Sequence, residues 1–391
     1  MRTATEPAAR PFPGPVPAGF RKPGLYVHVP FCRAKCPYCD FFSLPRPELA
    51  SGWLEDLGKE AALYAHLSGP YDSLYLGGGT PSLFNPAQLT SLFRILERTF
   101  GLAPEAEITL EANPEDVSPE KMEAALGLGF NRVSLGVQSL DGQELALLGR
   151  RHSLERVAQA VRTIREAGCA NLGLDLIYGL PDQDLPGWAE NLKRALDLNP
   201  EHLSCYQLSL TPEAALIGRR GSLPLPGEEK SRELFLLTSS FLEEHGFLHY
   251  EISNFARDRS LVSRHNSKYW SHTPYLGLGP SAHSFWSGHR WWNHRSLRAY
   301  GRDLGKGRRP LAGEEILDRD QVCLEALYLG LRTSQGMELS SVPFSGRAAL
   351  DRLVEAGLIR LEPGRILPTR EGMIVADALV LELAPDSAER L

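Results

Sequence analysis

Residues 26–42 read YVHVPFCRAKCPYCDFF, and this stretch decides how the rest of the chain is read. A short apolar run, Leu25–Val29, has the length and content of a buried strand. It opens into a loop carrying Cys32, Cys36 and Cys39 in the spacing C-x3-C-x2-C. Three thiols this close suit a soft metal centre. Structural zinc takes four ligands, and His28, on the strand before the loop, is the only local candidate for the fourth. A 4Fe–4S cluster on three cysteines instead leaves one iron without a protein ligand, and chemistry can occur there. The other three of the six cysteines, Cys169, Cys205 and Cys323, are scattered among apolar residues and read as buried thiols. So sparse a set does not make a disulfide scaffold.

Outward from this loop, short β-rich runs alternate with amphipathic stretches. The expected strands are Leu25–Val29, Ser73–Leu76, Glu107–Glu111, Arg132–Val137, Asn171–Ile177 and Leu203–Leu208. Between them lie helical patterns at Leu49–Leu67, Pro86–Thr99, Ser118–Leu128, Leu154–Ala167 and Leu185–Leu198. A helix between each pair of strands implies βαβ units and a parallel sheet. The expected class is α/β, a partial (β/α)6 TIM-type barrel, with a doubly wound sheet as the alternative. In such folds sites form at the carboxyl ends of strands. The glycine run Gly77–Gly79 with Thr80, and then Glu111, Gln138 and Asp175, follow or end apolar runs and so point to one mouth.

Past about residue 212 the alternation weakens, and 245–300 is rich in Gly, His, Trp and Tyr. Helical patterns at Ile316–Leu331 and Ala348–Ala356, then GLIRLEPGRILPT (357–369) turning at Pro363 and Gly364, predict a small winged-helix-like α+β module. The expected division is a proline-rich disordered leader at 1–23, a core at 24–255, a connecting region at 256–313 and the C-terminal module at 314–391. The prolines of the leader argue against an amphipathic transit helix, although Arg2, Arg10 and Arg21 are suggestive of one.

With 42% hydrophobic and 23% charged residues the chain can bury a large core. Its net charge of −6 argues against non-specific nucleic-acid binding. No apolar run approaches the roughly 20 residues of a membrane helix, and no secretory segment is evident, so the expected compartment is the cytoplasm.

Taken singly, the polar strand-end residues have bland readings: a tight turn for the glycines, capping or solvation for Glu111, Gln138 and Arg150. Asp175 stands out, because a carboxylate between Leu174 and Leu176 on a strand is costly unless paired or ligand-bound. Farther on, His265-Asn266-Ser267-Lys268-Tyr269-Trp270 offers a neutral imidazole that could ligate heme iron and flat rings for a porphyrin. The bland reading is a buried histidine satisfied by hydrogen bonds among core aromatics. His272, His283, His289 and His294 compete as ligands.

The cysteine spacing resembles that of the radical SAM superfamily, and the resemblance to one branch of it, the coproporphyrinogen-oxidase-like branch, covers nearly all of 24–380. It implies a 4Fe–4S cluster on Cys32, Cys36 and Cys39 whose open iron chelates S-adenosylmethionine (SAM), and a barrel of radical SAM type. The strings LEANPE, LGVQS, LLGRRH and LDLIYGLP resemble the coproporphyrinogen-oxidase-like branch. By that resemblance Tyr26, Tyr38, Gly78, Gly79, Thr80, Glu111, Gln138, Arg150 and Asp175 contact SAM. Phe41 stands where the oxygen-independent coproporphyrinogen III oxidases carry a fourth cysteine. HNSKYW, with YEISNFA (250–256) and YLGLGPSAHS (275–284), instead resembles the heme chaperones of the branch. Pro280 and Ser281 depart slightly from that pattern. The resemblance implies heme binding through His265, Asn266, Tyr269 and Trp270, and delivery to acceptor proteins, respiratory ones among the candidates, with a transient membrane-protein contact and a homodimer as further expectations. The alternative is an oxygen-independent coproporphyrinogen III oxidase or another radical enzyme acting on a tetrapyrrole.

Overall fold

The structure, a computed structural model, describes residues 22–384 except 211–213, 215, 217–222 and 344. All but the last two residues of the expected leader lie outside the described residues.

Six strands follow the anticipated order: β1 (Gly24–Val29), β2 (Tyr71–Gly78), β3 (Leu102–Ala112), β4 (Arg132–Gln138), β5 (Leu172–Tyr178) and β6 (His202–Gln207). They pair in parallel, each with the next. The connecting helices include α1 (Ala50–Leu63), α2 (Pro86–Thr99), α3 (Pro119–Gly127), α4 (Gly142–Leu147), α5 (Leu154–Glu166) and α6 (Leu185–Asp197). Local chemistry sets their starts. Asn85 and Gln88 form a reciprocal capping box around Pro86 at the first turn of α2. Ser118, Ser153 and Asp184 cap α3, α5 and α6 more simply, each side chain accepting one backbone N–H.

The sheet continues past these six strands. After α7 (Glu228–Glu244), the segment rich in Gly, His, Trp and Tyr supplies β7 (Leu248–Glu251), β8 (Asn254–Ala256), α8 (Arg264–Trp270), β9 (Tyr275–Leu278), β10 (His283–Trp286) and β11 (His289–Asn293). With β12 (Leu311–Ile316) they complete a twelve-stranded sheet, ordered β12-β11-β10-β9-β1-β2-β3-β4-β5-β6-β8-β7. β9 lies parallel to β1, with Gly24 opposite Tyr275, so the parallel set has one strand more than the sequence pattern predicts. The two ends of the sheet do not pair, and the barrel stays open.

Each parallel strand buries both faces. Leu25, Val27 and Val29, Leu74 and Leu76, Val133, Leu135 and Val137, and Leu172, Leu174 and Leu176 pack in one continuous core. The alternate residues of β2 to β6 are polar or small and face the other way: Ser73 and Tyr75, Glu107, Thr109 and Glu111, Arg132, Ser134 and Gly136, Gly173 and Asp175, His202, Ser204 and Tyr206. The period of two makes this division automatic.

The C-terminal part has its own small core, including Leu327, Leu353, Ile359, Ile366 and Leu379. There a three-stranded antiparallel sheet, β13 (Met337–Glu338), β14 (Ile359–Glu362) and β15 (Arg365–Pro368), has β15 in the middle. The hairpin turns at Pro363 and Gly364, and Gly364 takes the positive φ of 77° such a turn asks for. Of the scattered cysteines, Cys169 and Cys205 are buried, whereas Cys323 is partly exposed: its helix is only partly covered, and its thiol meets the Ser341 carbonyl.

Candidate cofactor site

A cavity of about 510 Å³ opens at the carboxyl ends of the parallel strands. Cys32, Cys36, Tyr38 and Cys39 form one wall, and Gly78, Gly79, Thr80, Glu111, Gln138, Arg150 and Asp175 line the rest. Asn266 reaches it from α8.

The cysteine loop is fastened before any cofactor is considered. Cys32 N–H donates to the Leu44 carbonyl at 3.0 Å, and Leu44 N–H to Pro30 at 2.8 Å. Arg33 pairs with buried Asp116 at 2.5 Å. Gly79 packs so closely that a Cβ there would stand 2.5 Å from the Phe31 carbonyl oxygen and 2.6 Å from that of Val29. The glycine run is therefore fitted against the cysteine loop, beyond what a mere turn needs. At Gly149, where φ is +65°, a Cβ would meet the Pro37 ring at 2.8 Å.

A belt of hydrogen bonds joins two of the cysteines. The Thr80 hydroxyl donates to Cys32 Sγ at 3.4 Å and accepts from Asn113 Nδ2 at 3.0 Å. Asn113 Oδ1 accepts from Arg150 Nη2 at 2.6 Å, and Arg150 Nη1 reaches Cys36 Sγ at 3.6 Å. Burial pushes the Cys32 thiol up and that of Cys39 up to about 11. Such thiols keep their protons until a metal displaces them. Three sulfurs on one wall, flanked by a guanidinium and a hydroxyl, are a soft donor set that fits an iron–sulfur cluster.

Across the cavity, Glu111 accepts from the Tyr75 hydroxyl at 2.7 Å and from Gly78 N–H at 3.1 Å. Burial drives its carboxyl up to about 7 despite these bonds. Asp175 is raised by burial against the pull of Ser204, Arg132 and Ser134. Gln138 closes β4 with a φ of 69°, a left-handed conformation unusual for this residue type, beside a register shift in the β4–β5 pairing. Phe41, 62% exposed, lies on the cavity lip.

The remaining sequence-named residues sit elsewhere. Tyr26 is not among the lining residues; its hydroxyl pairs with His28 Nδ1 at 3.1 Å, and its ring lies 6.2 Å from those of Tyr75 and His265. His265 is fully buried, with Nδ1 at 3.0 Å from Ser73 Oγ and Nε2 at 2.9 Å from the Tyr269 hydroxyl. Burial pulls its imidazole down to about 3, so it is neutral. The Trp270 ring meets Tyr250 edge-on at 5.9 Å. Of the competing histidines, His294 pairs with Asp303 at 2.9 Å, and exposed His283 stacks on Trp292 at 5.9 Å.

Residue patterns alone passed over Asn113, Arg132, Ser134, Ser204 and Tyr206, which also line the cavity. Their signal was present: Arg132, Ser134, Ser204 and Tyr206 fall on the polar register of β4 and β6, and Asn113 continues that of β3, while the alternate residues are apolar.

Known proteins agree with this architecture. The radical SAM superfamily pattern matches residues 26–194. The protein named heme chaperone HemW in Mycobacterium tuberculosis is 35% identical over 379 residues, 95% of this chain and 97% of the relative. Radical S-adenosyl methionine domain-containing protein 1, mitochondrial, of Bos taurus is 33% identical over 93% of this chain and 88% of its own length. The solved structure of the coproporphyrinogen III oxidase HemN from Escherichia coli, a radical SAM enzyme, superposes with a TM-score of 0.82 at 25% identity, covering 93% and 90% of the two chains. The chain belongs to the HemW family of the radical SAM superfamily.

Proposed function

We propose that the protein is a heme chaperone that carries a SAM-ligated 4Fe–4S cluster, binds heme and hands it to acceptor proteins in the cytoplasm. One observation carries this reading: the likeness to the HemW of M. tuberculosis runs through 95% of the chain and 97% of the relative. A cluster with SAM supplies an open iron and one-electron chemistry. The chain's own residues bind and orient. Cys32, Cys36 and Cys39 hold the cluster, while Arg150 and Thr80 donate to sulfur. Gly78 and Gly79 let the backbone approach SAM, and Glu111 faces its cationic end. Gln138 and Asp175 offer acceptors to its polar groups, and Tyr38 closes the cysteine side. Tyr26 acts from beneath, through His28 and Tyr75. His265, Asn266, Tyr269 and Trp270 form the heme-handling element. Iron ligation by His265 requires that it exchange its bond to Ser73 or Tyr269.

The structural likeness to HemN favours a second reading, radical decarboxylation of coproporphyrinogen III. One anaerobic experiment separates the two. Cluster-reconstituted protein given SAM, heme and coproporphyrinogen III binds heme with a shifted Soret band and leaves coproporphyrinogen unchanged. Formation of protoporphyrinogen rejects the chaperone reading, as does failure to bind heme.

A further inference from the structure

The HNSKYW helix, α8, is built into the interior of the open barrel, at the amino ends of the strands. The carboxylate of Glu107 on β3 accepts the N–H groups of Arg264 and His265, each at 3.0 Å. Lys268 pairs with Asp72 at 2.5 Å and donates to the Lys22 carbonyl at 2.8 Å. Gly24, the first residue of β1, leaves the space the helix fills. A Cβ there would stand 2.6 Å from Lys268 Cδ, 2.9 Å from Ser73 Oγ and 3.0 Å from His265 Nδ1.

From this seat the helix reaches the cofactor cavity in two ways. Asn266 lines the cavity directly. His265, pinned at both ring nitrogens, packs its ring 5.3 Å from that of Tyr75. The Tyr75 hydroxyl donates to Glu111, which also accepts from Gly78 N–H. A path of direct contacts therefore runs from the HNSKYW histidine to the carboxylate and glycine backbone that face SAM.

We propose that α8 is the floor of the SAM cavity, with Asn266 as a contact to SAM and His265 as a positioning residue that sets Tyr75 and, through it, Glu111. The proposal rests on the SAM reading of the cavity. It also makes heme and SAM linked ligands, because iron taking His265 would break the packing that holds Tyr75. By reciprocity, each ligand then weakens the other by the same factor.

The test measures SAM affinity on the cluster-reconstituted full chain by titration calorimetry, with iron content and thermal midpoint as controls. Asn266→Ala removes the contact. Gly24→Ala displaces the helix, and Asn266 with it, from outside the cavity, and Ser73→Ala unpins His265. Each folded variant is expected to bind SAM about tenfold more weakly, the scale of one lost buried hydrogen bond, with cluster iron unchanged. Saturating heme is expected to weaken SAM binding to the wild-type chain, and SAM to weaken heme equally. Undiminished SAM affinity in Asn266→Ala and Ser73→Ala overturns the floor role, even if heme binding is lost. SAM affinity indifferent to bound heme overturns the linkage. Weakened variants in a chain that never binds heme uphold the floor role while rejecting the chaperone reading.

Discussion

At the scale of single residues, Glu111 is the group whose protonation matters most for the cavity. Its carboxyl sits near 7, so a proton must leave when a cationic ligand arrives. SAM affinity is expected to rise between pH 6 and pH 8, with proton release visible as a buffer-dependent heat. Glu111→Gln should bind SAM weakly and without that slope; a wild-type affinity flat over the interval contradicts the assignment. Much of the site was legible here. Three cysteines at fixed spacing, a glycine run and one carboxylate inside an apolar strand marked three sides of the cavity. Asn113 and Arg132 were not legible as isolated letters. Arg132 is the first residue of β4, and only its shared register with Ser134, Gly136 and Gln138 places it inside. Its Nε and Nη2 have no partner among the described residues, although the side chain is almost wholly buried.

At the scale of elements, legibility followed length. Helices of thirteen or fourteen residues such as α2, α5 and α6 carry several turns of periodicity and their own caps, and the structure begins and ends them close to where the pattern does. The seven residues of α8 and the four of β9 hold too few repeats to announce themselves. Tertiary contacts place them: Glu107, Ser73 and Gly24 for the helix, β1 for the strand. Glu107→Ala removes the acceptor for two backbone donors at the start of α8, a change expected to cost about 1–3 kcal/mol locally. Hydrogen exchange should then quicken across Arg264–Trp270 while β2 to β5 stay protected. Unaltered exchange in the helix means that Glu107 does not hold it.

At the scale of the whole molecule, one buried carboxylate ties the late strands to the first helix. Glu60 of α1 accepts from Gly279 N–H at 2.7 Å, Asn293 Nδ2 at 2.6 Å and the Tyr300 hydroxyl at 2.6 Å. Burial lifts it from 4.5 to about 7, so the folded state keeps a proton that the unfolded chain gives up. Its stabilising contribution is therefore full below pH 4.5 and lost as the pH rises to about 7. Glu60→Gln should flatten that part of the profile, read as urea midpoints at pH 5 and pH 8. Equal pH slopes in the two proteins would sink this account. The C-terminal module joins the body through a backbone bridge between Glu251 and Thr333, with the Ile252 N–H donating to the Arg332 carbonyl at 3.0 Å, and through exposed pairs such as Arg232 with Glu371 and Arg370 with Glu243. Pairs of that kind contribute little each. Which elements would meet there was not written in local pattern, since such contacts are settled only when separate surfaces are brought together.

The pairing of β1 with β9 also sets an order of events in the cell. The cysteine loop is attached to β1, and that strand stays open on one side until Tyr275–Leu278, about 240 residues later, has been made. At about 5–20 residues per second, the thiols spend on the order of ten seconds or more beside an unfinished neighbour. If the thiols carry the proposed cluster, its iron would be best protected once the late strands are made, and slowed translation is then expected to raise the share of protein isolated without iron, read as iron per chain.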